Sequence, residues 1–130
     1  MTVALLIITH NQIGQELITT VNAILGGNTP PIESISIPAG LDPADLGKFA
    51  DQIRDTIVEL SAAQSVLILT DIYGATPNNL ARYFASDLDA VVLSGVNLPM
   101  LLRVLNYREQ DIDQLVTTAI EGAKMGIVRD

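Results

Sequence analysis

Three short stretches of this chain are almost wholly aliphatic, and they set its architecture: residues 3–8 (Val-Ala-Leu-Leu-Ile-Ile), 66–69 (Val-Leu-Ile-Leu) and 90–93 (Ala-Val-Val-Leu). A strand with one wet face alternates apolar and polar residues. An unbroken aliphatic run instead suits a strand covered on both faces, as in a parallel sheet between two layers of helices. The segments between the runs support this. Leu17, Ile18, Val21, Ile24 and Leu25 keep helical spacing, and Gly26-Gly27-Asn28 supplies the stop. Residues 32–37 form a partly alternating second strand. Asp42-Pro43 and Thr76-Pro77 each pair a capping residue with a proline suited to a first helical turn. Helices are expected over 99–107 and 112–124, and a short last strand over 126–128. The expected fold is α/β: a single doubly wound domain over residues 1–130, with a mostly parallel sheet of about five strands and helices on both faces.

Open sheets of this kind bind ligands beyond the carboxyl ends of their strands, where the strand order reverses. In the common order 2-1-3-4 that point lies between the first and third strands. The residues there are Thr9-His10 and Asp71-Ile72-Tyr73-Gly74-Ala75-Thr76-Pro77. An aspartate that accepts the Nδ1 proton of a histidine leaves Nε2 with a free lone pair and stabilises positive charge on the ring. Gly74 permits a tight turn, and the helix opened by Thr76-Pro77 begins with unpaired N–H groups that suit an anion. A nucleophilic imidazole, an orienting carboxylate and an anion cradle fit a phosphohistidine. The plainer reading stays open: His10 ends a strand at the surface, while Asp71 and Thr76 cap a helix.

Composition removes most competitors. The chain has one histidine and no cysteine, which excludes thiol chemistry, Cys-ligated zinc and any metal site built on two histidines of one chain. A net charge of −8 counts against nucleic acid and anionic membrane surfaces as partners. The apolar opening is far shorter than the roughly 20 residues that span a bilayer. With no basic segment before it and no cleavage-site pattern after it, a cytoplasmic protein without direct membrane insertion is expected. There is no Gly-x-Ser-x-Gly elbow, and residues 40–48 depart from a phosphate-binding loop in glycine spacing and in Phe49. Asp42, Asp45 and Asp51 read as a solvated helix face.

With Thr9-His10, Asp71, Gly74-Ala75-Thr76-Pro77-Asn78-Asn79 and Gly95-Val96-Asn97-Leu98-Pro99-Met100-Leu101 in this order, the chain resembles the IIA component of the mannose-type sugar phosphotransferase system. The resemblance covers essentially the whole chain. It implies that His10 accepts phosphate on Nε2 from the phosphocarrier HPr and passes it to a IIB component, with Asp71 holding Nδ1. Thr9, Gly74, Ala75 and Thr76 would bind the phosphoryl group, Thr76 standing where the family usually has serine. Asn97 and Pro99 would border the site, unless Asn97 simply caps the next helix. Ala75 and Asn78 depart from the family's Gly-Gly-Ser-Pro-Phe-Asn loop. The resemblance also implies a homodimer, joined through residues 126–128, and a carrier that needs no metal or other cofactor. With no linker before Asp130, the IIB component is expected to be a separate protein, or absent.

Three other readings share parts of this pattern. A regulatory protein could use the phosphorylation state of His10 to control a partner without sugar transport. A phosphoryl donor to a dihydroxyacetone kinase would have the same fold, although residues 95–101 fit the mannose-type branch better. A tetrapyrrole metal chelatase also places a histidine after its first strand, but such sites generally need more than one.

Overall fold

A computed structural model describes residues 2–27 and 29–130. Four strands, β1 (Ala4–His10), β2 (Glu33–Ile37), β3 (Val66–Thr70) and β4 (Ala90–Ser94), form one parallel sheet in the order β2-β1-β3-β4. The helices are α1 (Ile13–Ile24), α2 (Leu46–Ser61), α3 (Thr76–Ala85), α4 (Leu98–Asn106) and α5 (Ile112–Met125). The strand parity of β1 sorts its side chains between two cores. Leu5 and Ile7 pack with Ile18 and Val21 of α1, Leu101 and Val104 of α4, and Leu115 of α5. Leu6 and Ile8 pack with Ile53 and Ile57 of α2 and Ala81 and Ala85 of α3. The expected doubly wound α/β fold with helices on both faces is therefore present.

Differences from the sequence reading have local causes. Asp42 does cap, accepting from Ala44 N at 3.0 Å, but it opens a short 3-10 turn, Pro43–Asp45, that leads into α2. Gly26 and Gly27 follow α1 with φ of 78° and 86°, a backbone that glycine adopts without strain. Of the expected stop Gly26-Gly27-Asn28, Asn28 lies outside the described residues. Among the described residues the sheet has four strands, and the expected strand over residues 126–128 is not formed. A strand needs a neighbouring edge. Here the segment leaves α5 directly, with Ile127 and Val128 80% and 75% exposed, and Ile127 N bonded back to Lys124 O.

Among the described residues, no helix is long and apolar enough to cross a membrane.

Candidate functional site

β1 and β3 are hydrogen-bonded neighbours, so the loops after them share one end of the sheet. This brings His10 and Asp71 together across 61 residues of sequence. Asp71 Oδ2 lies 2.8 Å from His10 Nδ1 and accepts the His10 backbone N–H at 2.9 Å. Oδ1 accepts the Ile72 N–H at 3.1 Å. An ionised carboxylate can only accept, so Nδ1 carries the proton of this contact, and in the neutral ring that leaves the lone pair on Nε2. The side chains are 26% and 13% exposed, which leaves the ring reachable from solvent while its partner is held. Burial pushes the Asp71 carboxyl up. The bonds from the His10 backbone and ring, with the attraction to the ring, outweigh that and hold it below its ordinary value.

His10 and Thr76 line one cleft of about 230 Å³, whose far wall is Ile37 at the end of β2, Pro38, Ala39 and Leu41 after it, and Pro43 and Leu46. α3 begins there. Ala75, rather than Thr76, is its N-cap residue, and no side chain caps the helix. Thr76 and Pro77 therefore occupy the first turn, and the Thr76 hydroxyl is not spent on capping. Uncapped N–H groups and the positive end of the helix dipole favour an anion here, and no acidic side chain sits in that first turn. Gly74 takes φ of 84°, which suits glycine at this turn, while Ala75 has φ of −85° and loses nothing by carrying a methyl group.

Other expected site residues lie elsewhere. Thr9 is fully buried, its Oγ1 accepting the Gly14 N–H at 2.8 Å and donating to the His10 carbonyl. Its parity along β1 turns it to the α1 face, so it shapes the loop that carries His10 and offers a phosphate no accessible surface. Asn97 caps α4, accepting from Met100 N at 2.8 Å, and its amide donates to Ala123 O in α5. Pro99 packs beside Gly126, where an added Cβ would come 2.3 Å from the proline ring. Both residues join α4 to α5, and neither is in the wall of the His10 cleft.

Asn11 escaped the sequence reading. It adopts φ of 49°, donates its N–H to Ile37 O at 2.7 Å and accepts the Ala39 N–H on its side chain at 2.9 Å. These bonds clasp the His10 loop to the opposite wall of the cleft. Asparagine is one of the few residues that tolerate a left-handed backbone, which was the available signal. Also unforeseen is the exposure of Ile72 and Tyr73, 58% and 69%, directly after Asp71.

Residues 4–120 match the family model described as PTS system fructose IIA component, EIIA-man. The chain belongs to this family. It is 28% identical over 130 residues to the mannose-specific EIIAB component of Escherichia coli K12, an alignment that takes in 98% of this chain but only 39% of that protein. A 60-residue stretch, 45% of the chain, is 40% identical to the fructose-specific EIIA component of Bacillus subtilis, of which it covers 41%. The fold is shared with the mannose/sorbose-specific IIA subunit from Enterococcus faecalis, with a TM-score of 0.86 at 18% identity, covering 100% of this chain and 96% of that one. It is shared also with phosphotransferase component EIIA from Streptococcus agalactiae, with a TM-score of 0.80 at 24% identity, covering 98% and 96%. The resemblance read from the sequence to the mannose-type IIA component is thus borne out, and the chain is a member of a phosphotransferase-system family.

Proposed function

We propose that residues 1–130 act as a mannose-type IIA phosphoryl carrier, taking phosphate from phospho-HPr on His10 and passing it to a IIB component during sugar uptake. The observation that carries this reading is the 2.8 Å contact of His10 Nδ1 with Asp71, in a cleft shared with the uncapped start of α3. The Nε2 lone pair forms the new N–P bond while the bond from phosphorus to its donor breaks, its electron pair returning to the donor. Asp71 balances the charge that develops on the ring. The backbone around Gly74 and Ala75 and the Thr76 hydroxyl receive the phosphoryl oxygens. The second transfer repeats the step with His10 as the donor, and positioning rather than a cofactor supplies the rate.

The exposed Ile72 and Tyr73 beside the site suit docking of protein partners, which a relay requires. The outer edge of β4 is unpaired in the described chain, and the exposed Ile127 and Val128 suit pairing in a homodimer. Such a carrier works in the cytoplasm, where its donor resides.

The test is incubation with enzyme I, HPr and labelled phosphoenolpyruvate. One acid-labile phosphate per chain is expected, and none in His10→Ala. Wild-type labelling of His10→Ala would overturn the reading.

A further inference from the structure

A cavity of about 750 Å³, against about 230 Å³ for the His10 cleft, lies at the opposite end of the strands. Ala4 and Leu5 at the start of β1 form part of its wall, roughly 20 Å from His10 at the usual rise per strand residue. The turn between α4 and α5 brings Arg108 to the same wall. Arg108 is only 9% exposed. Its Nη2 donates to the Val3 carbonyl at 2.6 Å, but Nε and Nη1 are buried without a partner. None of the ion pairs among the described residues includes it.

A guanidinium has five N–H donors and stays charged inside proteins, so a single backbone carbonyl leaves it under-satisfied. Burial of an unpaired cation is strongly unfavourable, and the usual remedy is an anion in contact with it. Burial here also pushes the Arg108 pKa down, which marks the same lack of a counter-charge. Because the charge is delocalised over the whole fork, an anion against the wall that Arg108 helps to form offsets it without reaching the two buried nitrogens.

We propose that this cavity binds a small monocarboxylate with an apolar body, held by Arg108. Leu60, Leu105 and Tyr107 offer apolar surface for that body. Glu33 and Glu109 stand at the same cavity and, with the net charge of −8, oppose a doubly charged anion such as phosphate more than a single carboxylate. The site is independent of the phosphoryl reading of His10.

The experiment titrates the isotope-labelled full chain with benzoate, phenylacetate and hexanoate, with their neutral amides and with inorganic phosphate, following backbone amide resonances. At least one of the acids should give saturable shifts at residues 105–110 and 3–5, with a millimolar dissociation constant. Its amide and phosphate should bind about tenfold or more weaker, a difference of about 1.4 kcal/mol. Arg108→Met should lose the acid by a similar factor while keeping the wild-type dispersion of its backbone amide resonances, which shows that it is folded. Absence of saturable shifts with all three acids overturns the proposal, as does undiminished binding to Arg108→Met. Should that variant fail to fold, the wild type decides alone: equal affinity for acid and amide, or for acid and phosphate, overturns the assignment.

Discussion

One oxygen of Asp71, Oδ2, receives two hydrogen bonds from His10, one from the ring at 2.8 Å and one from the backbone at 2.9 Å. The backbone bond locks the carboxylate to the end of β1, and the ring bond then fixes the imidazole relative to the same strand. Ring orientation and tautomer are set by one atom. This also joins the ends of β1 and β3, so the geometry of the site is tied to the register of the sheet.

Asp71→Asn removes the charge and can turn an N–H toward the ring, which would move the imidazole proton to Nε2 and block the nucleophile. A hydrogen bond to a charged group contributes about 1.5–3 kcal/mol, so phosphoryl transfer to His10 should slow by about 10- to 150-fold. Single-turnover labelling measures the rate, and ring nitrogen shifts report the tautomer. A normal rate with the tautomer unchanged would show that the contact does not orient the ring.

Because the Asp71 carboxyl is held below its ordinary value, the unfolded chain binds the proton more readily than the folded one. Its contribution to stability is therefore fully present above the ordinary carboxylate range and is lost as pH falls through the depressed folded value. Urea unfolding of wild type and Asp71→Asn should differ most near neutral pH and converge in acid. A gap that stays constant with pH would contradict the sign of the shift.

Much of this site was legible because it follows from strand topology. Aliphatic runs marked β1, β3 and β4, and the 2-1-3-4 order makes β1 and β3 neighbours, which brings His10 to Asp71. The direction of Thr9 was also encoded, since it shares parity with Leu5 and Ile7 and so must face α1. Chemical type alone, a hydroxyl beside a histidine, does not give that direction. The strand expected at residues 126–128 reflects the opposite limit. Ile127 and Val128 have the composition of a strand, but composition cannot supply the edge that a strand pairs with. The bond from Ala39 N to Asn11 joins loops 28 residues apart, and no local pattern announces it.

The two threonines of the region should separate cleanly. Thr9→Val keeps the shape but leaves the buried Gly14 N–H without its acceptor, at a cost of about 1–3 kcal/mol, with His10 still accepting phosphate. Thr76→Val, at an exposed residue without a capping role, should change stability by no more than about 0.5 kcal/mol. It should slow phosphoryl transfer by about 10- to 150-fold if its hydroxyl meets the charged group. Denaturant unfolding and labelling rates on both variants check the pair. The reverse pattern would return Thr9 to the phosphate site.

Asn11 does two separable things: it fills a left-handed backbone position and it accepts the Ala39 N–H across the cleft. Asn11→Gly keeps the first and loses the second, whereas Asn11→Ala loses both. The left-handed conformation costs an alanine about 1–2 kcal/mol, so Asn11→Ala should be less stable than Asn11→Gly by that amount. The cross-cleft bond contributes about 1 kcal/mol to holding the wall opposite His10, and its loss should slow transfer about fivefold in both variants alike. Unfolding should therefore distinguish the two substitutions while labelling rates do not. If glycine restored the full rate, backbone conformation alone would account for Asn11, and the clasp would have no part in positioning His10.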